Sequence, residues 1–311
     1  MIAQKCTALT GSRRLAICAA GFAMMLPTQA AIDIQFDYTY DTGNFFALTE
    51  RRNVLEAAAL TFEARITDNL TAITPSGSNT WTAIFDHPST GVEVEVINPT
   101  IAAGVIRVYV GAQDLAGSTL GFGGPGGFSA SGNSAFLNNV ELRGQVSGTT
   151  DFGPWGGAIS FDNATQWYFD QDITTKEPFG VMNDFYSVSI HELAHLLGFG
   201  TSDSWDNLIS AGTFTGTASM AENGGVAVPL AGTGHWANGT QSEVLSPSPI
   251  NPQEAAMDPS ITVGTRKYFK ELDFAGLDDI GWQVIPEPGS TLLIASGIVF
   301  VAGMRRRREE A

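Results

Sequence analysis

Residues 191–205 read HELAHLLGFGTSDSW, and the first five letters carry the chemistry. His191 and His195 stand four residues apart, with Glu192 directly after the first. On an α-helix that spacing puts both imidazoles on one face, one turn apart, where they can reach a single ion. Glu192 then points beside the ion rather than at it, the place from which a carboxylate takes a proton as a general base. Ile190, Leu193, Leu196 and Leu197 surround the polar set, so the helix packs into a core, where unliganded imidazoles and a carboxylate are costly to bury. The chain holds four histidines in all, His87, His191, His195 and His235. A composition so poor in histidine rarely puts two of them in this register beside a glutamate.

Upstream of this helix the pattern predicts strands. Ile32, Ile34, Phe36, Tyr38 and Tyr40 alternate with Asp33, Gln35, Asp37 and Thr39, the period of a half-buried strand. Leu55, Ala58, Ala59, Phe62 and Ile66 fall at helical spacing behind Thr49, which is placed to cap that helix. VEVEVI from Val92, VIRVYV from Val105 and GGAISFD from Gly156 read as further strands, the last followed by Trp167, Tyr168 and Phe169. Gly111–Gly132 is so rich in glycine that a long surface loop is expected, and it lacks the Lys-Ser/Thr ending of a phosphate-binding loop. No internal repeat is present. Strands, a helix, strands again and then the histidine helix imply an α+β protein built on a twisted mixed sheet.

Both ends read as addresses. Residues 1–30 carry Lys5, Arg13 and Arg14, an uncharged run from Leu15 to Leu26, then Pro27 and small residues up to Ala30, the layout of a secretory signal peptide. Both cysteines, Cys6 and Cys18, fall inside it, so residues 31–284 hold no disulfide and no thiol nucleophile. That interval has 29 acidic against 9 basic side chains, a balance of −20, which excludes nucleic acid and anionic lipid as partners. Asp162, Asp170 and Asp172 around the aromatic cluster are candidates for a Ca2+ site, against the plainer reading of solvated carboxylates. Residues 285–311 contain Pro286-Glu287-Pro288, an uncharged stretch from Gly289 to Met304 and Arg305–Arg308. This segment resembles the PEP-CTERM sorting signal of Gram-negative bacteria. The resemblance implies export across the inner membrane, transient anchoring by a short transmembrane helix, cleavage by an exosortase-type enzyme and release to the cell surface or extracellular matrix. An ordinary tail anchor is the alternative, for which sixteen residues are short.

HELAHLLGF with Gly198, GGAISFD upstream and Met257 in EAAMDPS together resemble the metzincin metallopeptidases, over roughly Gly156 to Trp282. The resemblance implies a zinc-dependent endopeptidase acting on a protein or peptide substrate, with Glu192 catalytic. It implies an upper lobe of about residues 31–200 and a smaller lower lobe of about 201–284 that carries a methionine turn at Met257. It also makes Gly156–Asp162 the edge strand, so that Gly157, Ala158 and Ile159 hold an extended substrate by strand addition. Metzincins use HExxHxxGxxH, the glycine turning the chain back toward the metal. Thr201 stands where the third ligand belongs, and a neutral hydroxyl is a poor zinc ligand. Asp203 and Asp206 are oxygen donors in the wrong register. The leishmanolysin branch inserts residues between the glycine and the third histidine, which here implies His235, 37 residues beyond Gly198 and 22 before Met257. His87, far upstream, reads as a solvated turn residue. Pro259 replaces the tyrosine that some metzincins place after the methionine, so no oxyanion helper is assigned. Two rivals stay open: a gluzincin with Glu222 as third ligand, and a non-catalytic surface or matrix protein of the same fold.

Overall fold

Ile32 and Ile34 are buried while Asp33 and Gln35 are exposed, the alternation required of a strand with one face on a core. In the computed structural model, which describes residues 32–170, 172–175, 178–242 and 253–286, this segment is strand β1 (Asp33–Asp37). The signal peptide expected at 1–30, and all but the first two residues of the sorting signal expected at 285–311, lie outside the described residues. Helix α1 (Thr49–Glu63) follows, and Leu55, Ala58, Ala59 and Phe62 on its inner face are at most 1 % exposed. Thr49 is its first helical residue rather than its cap; Leu48 holds the cap position with no side-chain hydrogen bond.

Next come β2 (Thr80–Asp86), β3 (Glu93–Ile97), β4 (Val105–Gln113), β5 (Gly121–Pro125), β6 (Gly127–Ser131), α2 (Ser134–Leu142), β7 (Gly156–Asp162), β8 (Trp167–Tyr168), β9 (Asn183–Asp184) and α3 (Phe185–Leu196). Beyond α3 the elements are short: α4 (Asp203–Asp206), β10 (Ile209–Ser210), β11 (Thr213–Phe214), α5 (Thr217–Glu222), β12 (Val228–Ala231), β13 (His235–Trp236), β14 (Gln241–Ser242), β15 (Gln253–Glu254) and α6 (Glu271–Asp279). The chain is therefore α+β with mixed sheets.

The main sheet has the order β1-β4-β7-β5, its first three strands parallel and β5 antiparallel at the edge. On one face α1 and α3 pack against each other and the sheet, in a buried apolar cluster that runs from Ile32 to Trp282. On the other face the antiparallel sheet β3-β2-β6 closes a second cluster around Trp81, Phe85, Tyr109 and Trp155. Phe85 and Tyr109 stack between the two sheets at 4.2 Å. The last described residues are tied to the end of α1: Thr67 N–H donates to the Gln283 carbonyl at 3.0 Å, and Ile285 N–H to that of Arg65 at 2.8 Å. Among the described residues no helix is long and apolar enough to cross a membrane.

Two expectations are corrected by this topology. Gly111–Gly132 is not a loop, since it contains the end of β4, all of β5 and all of β6. Strand β5 lies directly on α3: a Cβ at Gly121 would stand 2.7 Å from Glu192 Cγ, and one at Gly123 2.7 Å from the Glu192 carbonyl oxygen. Side chains are excluded from that face, so the strand carries no hydrophobic alternation. Second, Gly157, Ala158 and Ile159 are not on an edge. They sit between Val108–Val110 of β4 and Gly123–Pro125 of β5, and their main-chain groups face those two neighbours. The open edge beside α3 belongs to β5.

Candidate metal centre

Helix α3 starts at a buried ionic cap. Asp184 Oδ2 accepts from the Ser187 N–H at 3.1 Å and from its Oγ at 2.6 Å, as an N-cap carboxylate does at the positive end of a helix dipole. Arg266 donates to both oxygens of Asp184, at 2.9 and 2.7 Å, and to Asp170 at 2.7 Å. The first turn of α3 is thereby held against the segment that follows the Met257 turn.

After α3 the chain reverses at Gly198, whose φ of 98° lies in the left-handed region. A Cβ there would also stand 2.5 Å from the Phe152 ring. Phe199 then enters an aromatic stack with Trp205 at 4.1 Å and Trp236 at 4.9 Å, and Trp205 stacks on Phe214 at 4.0 Å. Trp205 Nε1 donates to the Thr233 carbonyl at 2.7 Å. This stack folds the long excursion from Gly200 to Gly234 into a fixed unit and returns the chain to the helix at His235. Thr201 serves the turn itself, donating to the His195 carbonyl at 2.6 Å.

The structure brings His191, His195 and His235 together. Their Nε2 atoms lie 3.1 Å (191 to 195), 3.0 Å (195 to 235) and 3.2 Å (235 to 191) apart. Nδ1 of His191 lies 2.8 Å from the Ala256 carbonyl and Nδ1 of His195 2.7 Å from that of Phe199. A carbonyl only accepts, so each Nδ1 carries the proton and each Nε2 presents a lone pair. Burial, and then the neighbouring imidazoles, hold His191 well below the usual histidine range and His195 at about 4; burial also lowers His235. His191 and His195 therefore aim lone pairs at one another, with His235 Nε2 beside both, an arrangement that a cation between the three rings would relieve. Zinc fits: with Zn–N of ~2.0–2.1 Å, tetrahedral ligands stand about 3.3 Å apart. Among the described residues this is the one group of three or more such side chains close enough to hold an ion.

Glu192 is buried beside this cluster under β5, where burial pushes its carboxyl up to about 8 against a hydrogen bond from the Gly123 N–H. Met257 is fully buried in the turn that presents the Ala256 carbonyl to His191. Its own carbonyl accepts from Trp236 N–H at 3.0 Å, joining that turn to the His235 strand. Asp273 of α6 completes the link: it accepts from Ala256 N–H at 3.1 Å, Met257 N–H at 3.2 Å and Trp236 Nε1 at 3.2 Å. No sequence pattern points to Asp273, Arg266 or Gly123; the glycines at alternate positions 121 and 123 are the one local sign of a strand pressed onto a helix.

Other sequence candidates lie elsewhere. Glu222 is exposed at the end of α5, and Asp203 and Asp206 are in α4; none joins the histidine cluster. The calcium candidates do not converge. Asp162 accepts from Leu115 N–H and Thr165 Oγ1, Asp170 pairs with Arg266, and exposed Asp172 closes its own turn on Thr174. His87 is a turn residue accepting from Ser89 N–H through Nδ1, but it is half-buried with its ring edge-on to Tyr40 rather than solvated.

A cleft of 580 Å³ runs past the cluster, between Gly121–Gly123 on one side and Pro259–Ile261 on the other. The chain matches no family model, no curated protein and no solved structure. Its functional reading therefore rests on the geometry of the site and on the short motifs that lead to it.

Proposed function

We propose that this chain is an exported zinc endopeptidase of the metzincin type, with His191, His195 and His235 as ligands and Glu192 as general base. The observation that carries the reading is the approach of three imidazole Nε2 atoms to within 3.0–3.2 Å of one another, two of them oriented by carbonyls on Nδ1. Bound there, zinc supplies Lewis acidity that polarises the scissile carbonyl and brings the pKa of a water toward ~7. Glu192 takes a proton from the attacking water as its oxygen bonds to the carbonyl carbon, and delivers a proton to the nitrogen as the C–N bond breaks. The Gly123 N–H keeps its carboxylate aimed. The free edge of β5 pairs with an extended substrate and lays it along the cleft. The signal peptide and sorting signal read from the sequence place this activity outside the inner membrane, after release by an exosortase-type enzyme.

The test is zinc content by mass spectrometry after dialysis, together with casein hydrolysis, for the wild type and Glu192→Gln. Both proteins are expected to retain a single zinc, with a loss of ~100-fold or more in hydrolysis by the variant. Retained zinc with no hydrolysis by either assigns the non-catalytic surface or matrix role. Absence of zinc from both removes the metal reading.

A further inference from the structure

Among the described residues Lys267 is the one lysine or arginine that lines the metal cleft. It follows Arg266 in the segment bolted to the first turn of α3, and its own N–H donates to Ser187 Oγ at 2.8 Å, one turn before His191. Its backbone is thus fixed against the helix side of the cleft, while its side chain crosses to the opposite wall. The buried Nζ donates to Asp258 Oδ1 at 2.6 Å and to the Ser260 carbonyl at 2.7 Å, and lies 3.0 Å from Glu254 Oε2. An ammonium has three hydrogens, and these three acceptors use them all.

The acceptors lie on both sides of the Met257 turn. Val188 and His191 line the cleft from α3, and Pro259, Ser260 and Ile261 line it from the wall. Residues 258–261 belong to no helix or strand, so no backbone ladder sets how far this wall stands from α3. Its other side-chain tie, from Ser260 Oγ to Asn238 at 2.7 Å, is on the exposed surface. The Asp258 carboxylate is fully buried and Glu254 half-buried, both drawn to one ammonium. Without that cation two neighbouring acids repel, and the wall loses its hold on the helix side.

We infer that Lys267 is a positioning residue that sets the width of the cleft between Val188 and Ile261, and so the size of the substrate side chain accepted beside the metal; the inference rests on the peptidase reading of that cleft. Size is a sensitive measure of such a gap. One methylene more or less in a close-fitting pocket changes kcat/KM by ~10–200-fold, so a wall that yields by the width of a methyl group is read directly as lost selectivity.

Cleavage of a peptide series carrying Ala, Leu, Phe or Trp at one position at a time tests this. The wild type is expected to favour one size over the next by ~10-fold or more in kcat/KM at a single position. Lys267→Met leaves two acids uncompensated and should lower Tm by about 10 °C. In Lys267→Met/Asp258→Leu both members of the buried pair become apolar, an exchange that leaves stability about level, so this variant should keep its zinc and melt near the wild type. Its size preference should nonetheless fall to ~2-fold or less, through KM rather than kcat. Lys267→Arg keeps the charge behind a bulkier head and should move the preference toward larger side chains. Hydrogen exchange across residues 258–261 should quicken in the double variant, a readout that needs no turnover. If the wild type cleaves nothing, the peptidase reading fails, and the role of Lys267 stands only if fluorescence anisotropy with the same peptides, labelled, shows a size preference that the double variant loses. A double variant that melts like the wild type with an unchanged size profile overturns the inference, because the pair would then hold the fold without setting the cleft. Should the double variant not fold, an unchanged profile in Lys267→Arg overturns it equally.

Discussion

Arg266 holds both oxygens of Asp184, at 2.9 and 2.7 Å, and neither side chain is exposed to solvent. The pair joins the start of the histidine helix to the segment beyond Met257, so one interaction fixes two walls of the cleft. Removing one member of a buried pair leaves the other charged without compensation, at a cost of ~3–5 kcal/mol. Arg266→Met should therefore lower Tm by about 10 °C. Arg266→Lys should recover little of it, because a point charge cannot reproduce the two-pronged grip. Scanning calorimetry decides; a fall of only a degree or two in Arg266→Met would mean that other contacts hold the helix start.

His235 is the proposed ligand farthest along the chain from the other two, and its removal separates it from the carboxylate alternatives. His235→Ala leaves two ligands from α3 and should lose its metal to a mild chelator, with peptidase activity gone. Asp203→Ala and Glu222→Ala should keep both, since neither residue belongs to the histidine cluster. Zinc stoichiometry after dialysis is the measurement. Metal retained by His235→Ala but lost from either carboxylate variant would sink the assignment.

Gly121 is expected to matter through what it lacks. A methyl there would stand 2.7 Å from Glu192 Cγ and Oε1, in contact with the tip of a side chain that can move aside. Gly121→Ala should thus fold and keep zinc, yet displace the Glu192 carboxylate and reduce kcat by ~10-fold or more, with a smaller effect on KM. Gly123→Ala presses instead on the helix backbone and should cost stability as well. Equal kcat for Gly121→Ala and wild type would mean that Glu192 does not act from its position under β5.

How much of this is legible in the sequence depends on the distance over which each relation is made. His191, Glu192 and His195 are legible because one helical turn fixes them. His235 lies 40 residues from His195, and their contact is made through Phe199, Trp205 and Trp236, which no spacing rule encodes. It is reachable only by likeness to a family with a displaced ligand. Strand β7 is legible as a strand, but alternation reports which side chains share a face and not which strands lie beside it, so its interior place is hidden. Strand β5 is hidden more deeply. Strand signals are read from side chains, and this one carries glycine at the two positions that meet α3.

Asp68 gives the fold a pH dependence of defined sign. It is fully buried where residues 283–285 return to α1, accepts from the Gln283 N–H at 2.7 Å, and burial pushes its carboxyl up to about 6, with Asp151 adding like charge. In the unfolded chain the same group titrates near ~3.9. Between about pH 4 and 6 the folded state therefore binds more protons than the unfolded state, so stability falls as pH rises through that window and the charged Asp68 is a burden above it. Asp68→Asn keeps an oxygen for Gln283 and removes the charge. It should raise Tm by about 3–6 °C near pH 7.5, a gain of ~1–2 kcal/mol, and by almost nothing near pH 4, where the wild-type carboxyl is already neutral in the folded chain. Calorimetry of both proteins at the two pH values checks the sign. A gain equal at both, or larger in acid, would show that Asp68 is not held protonated by its burial.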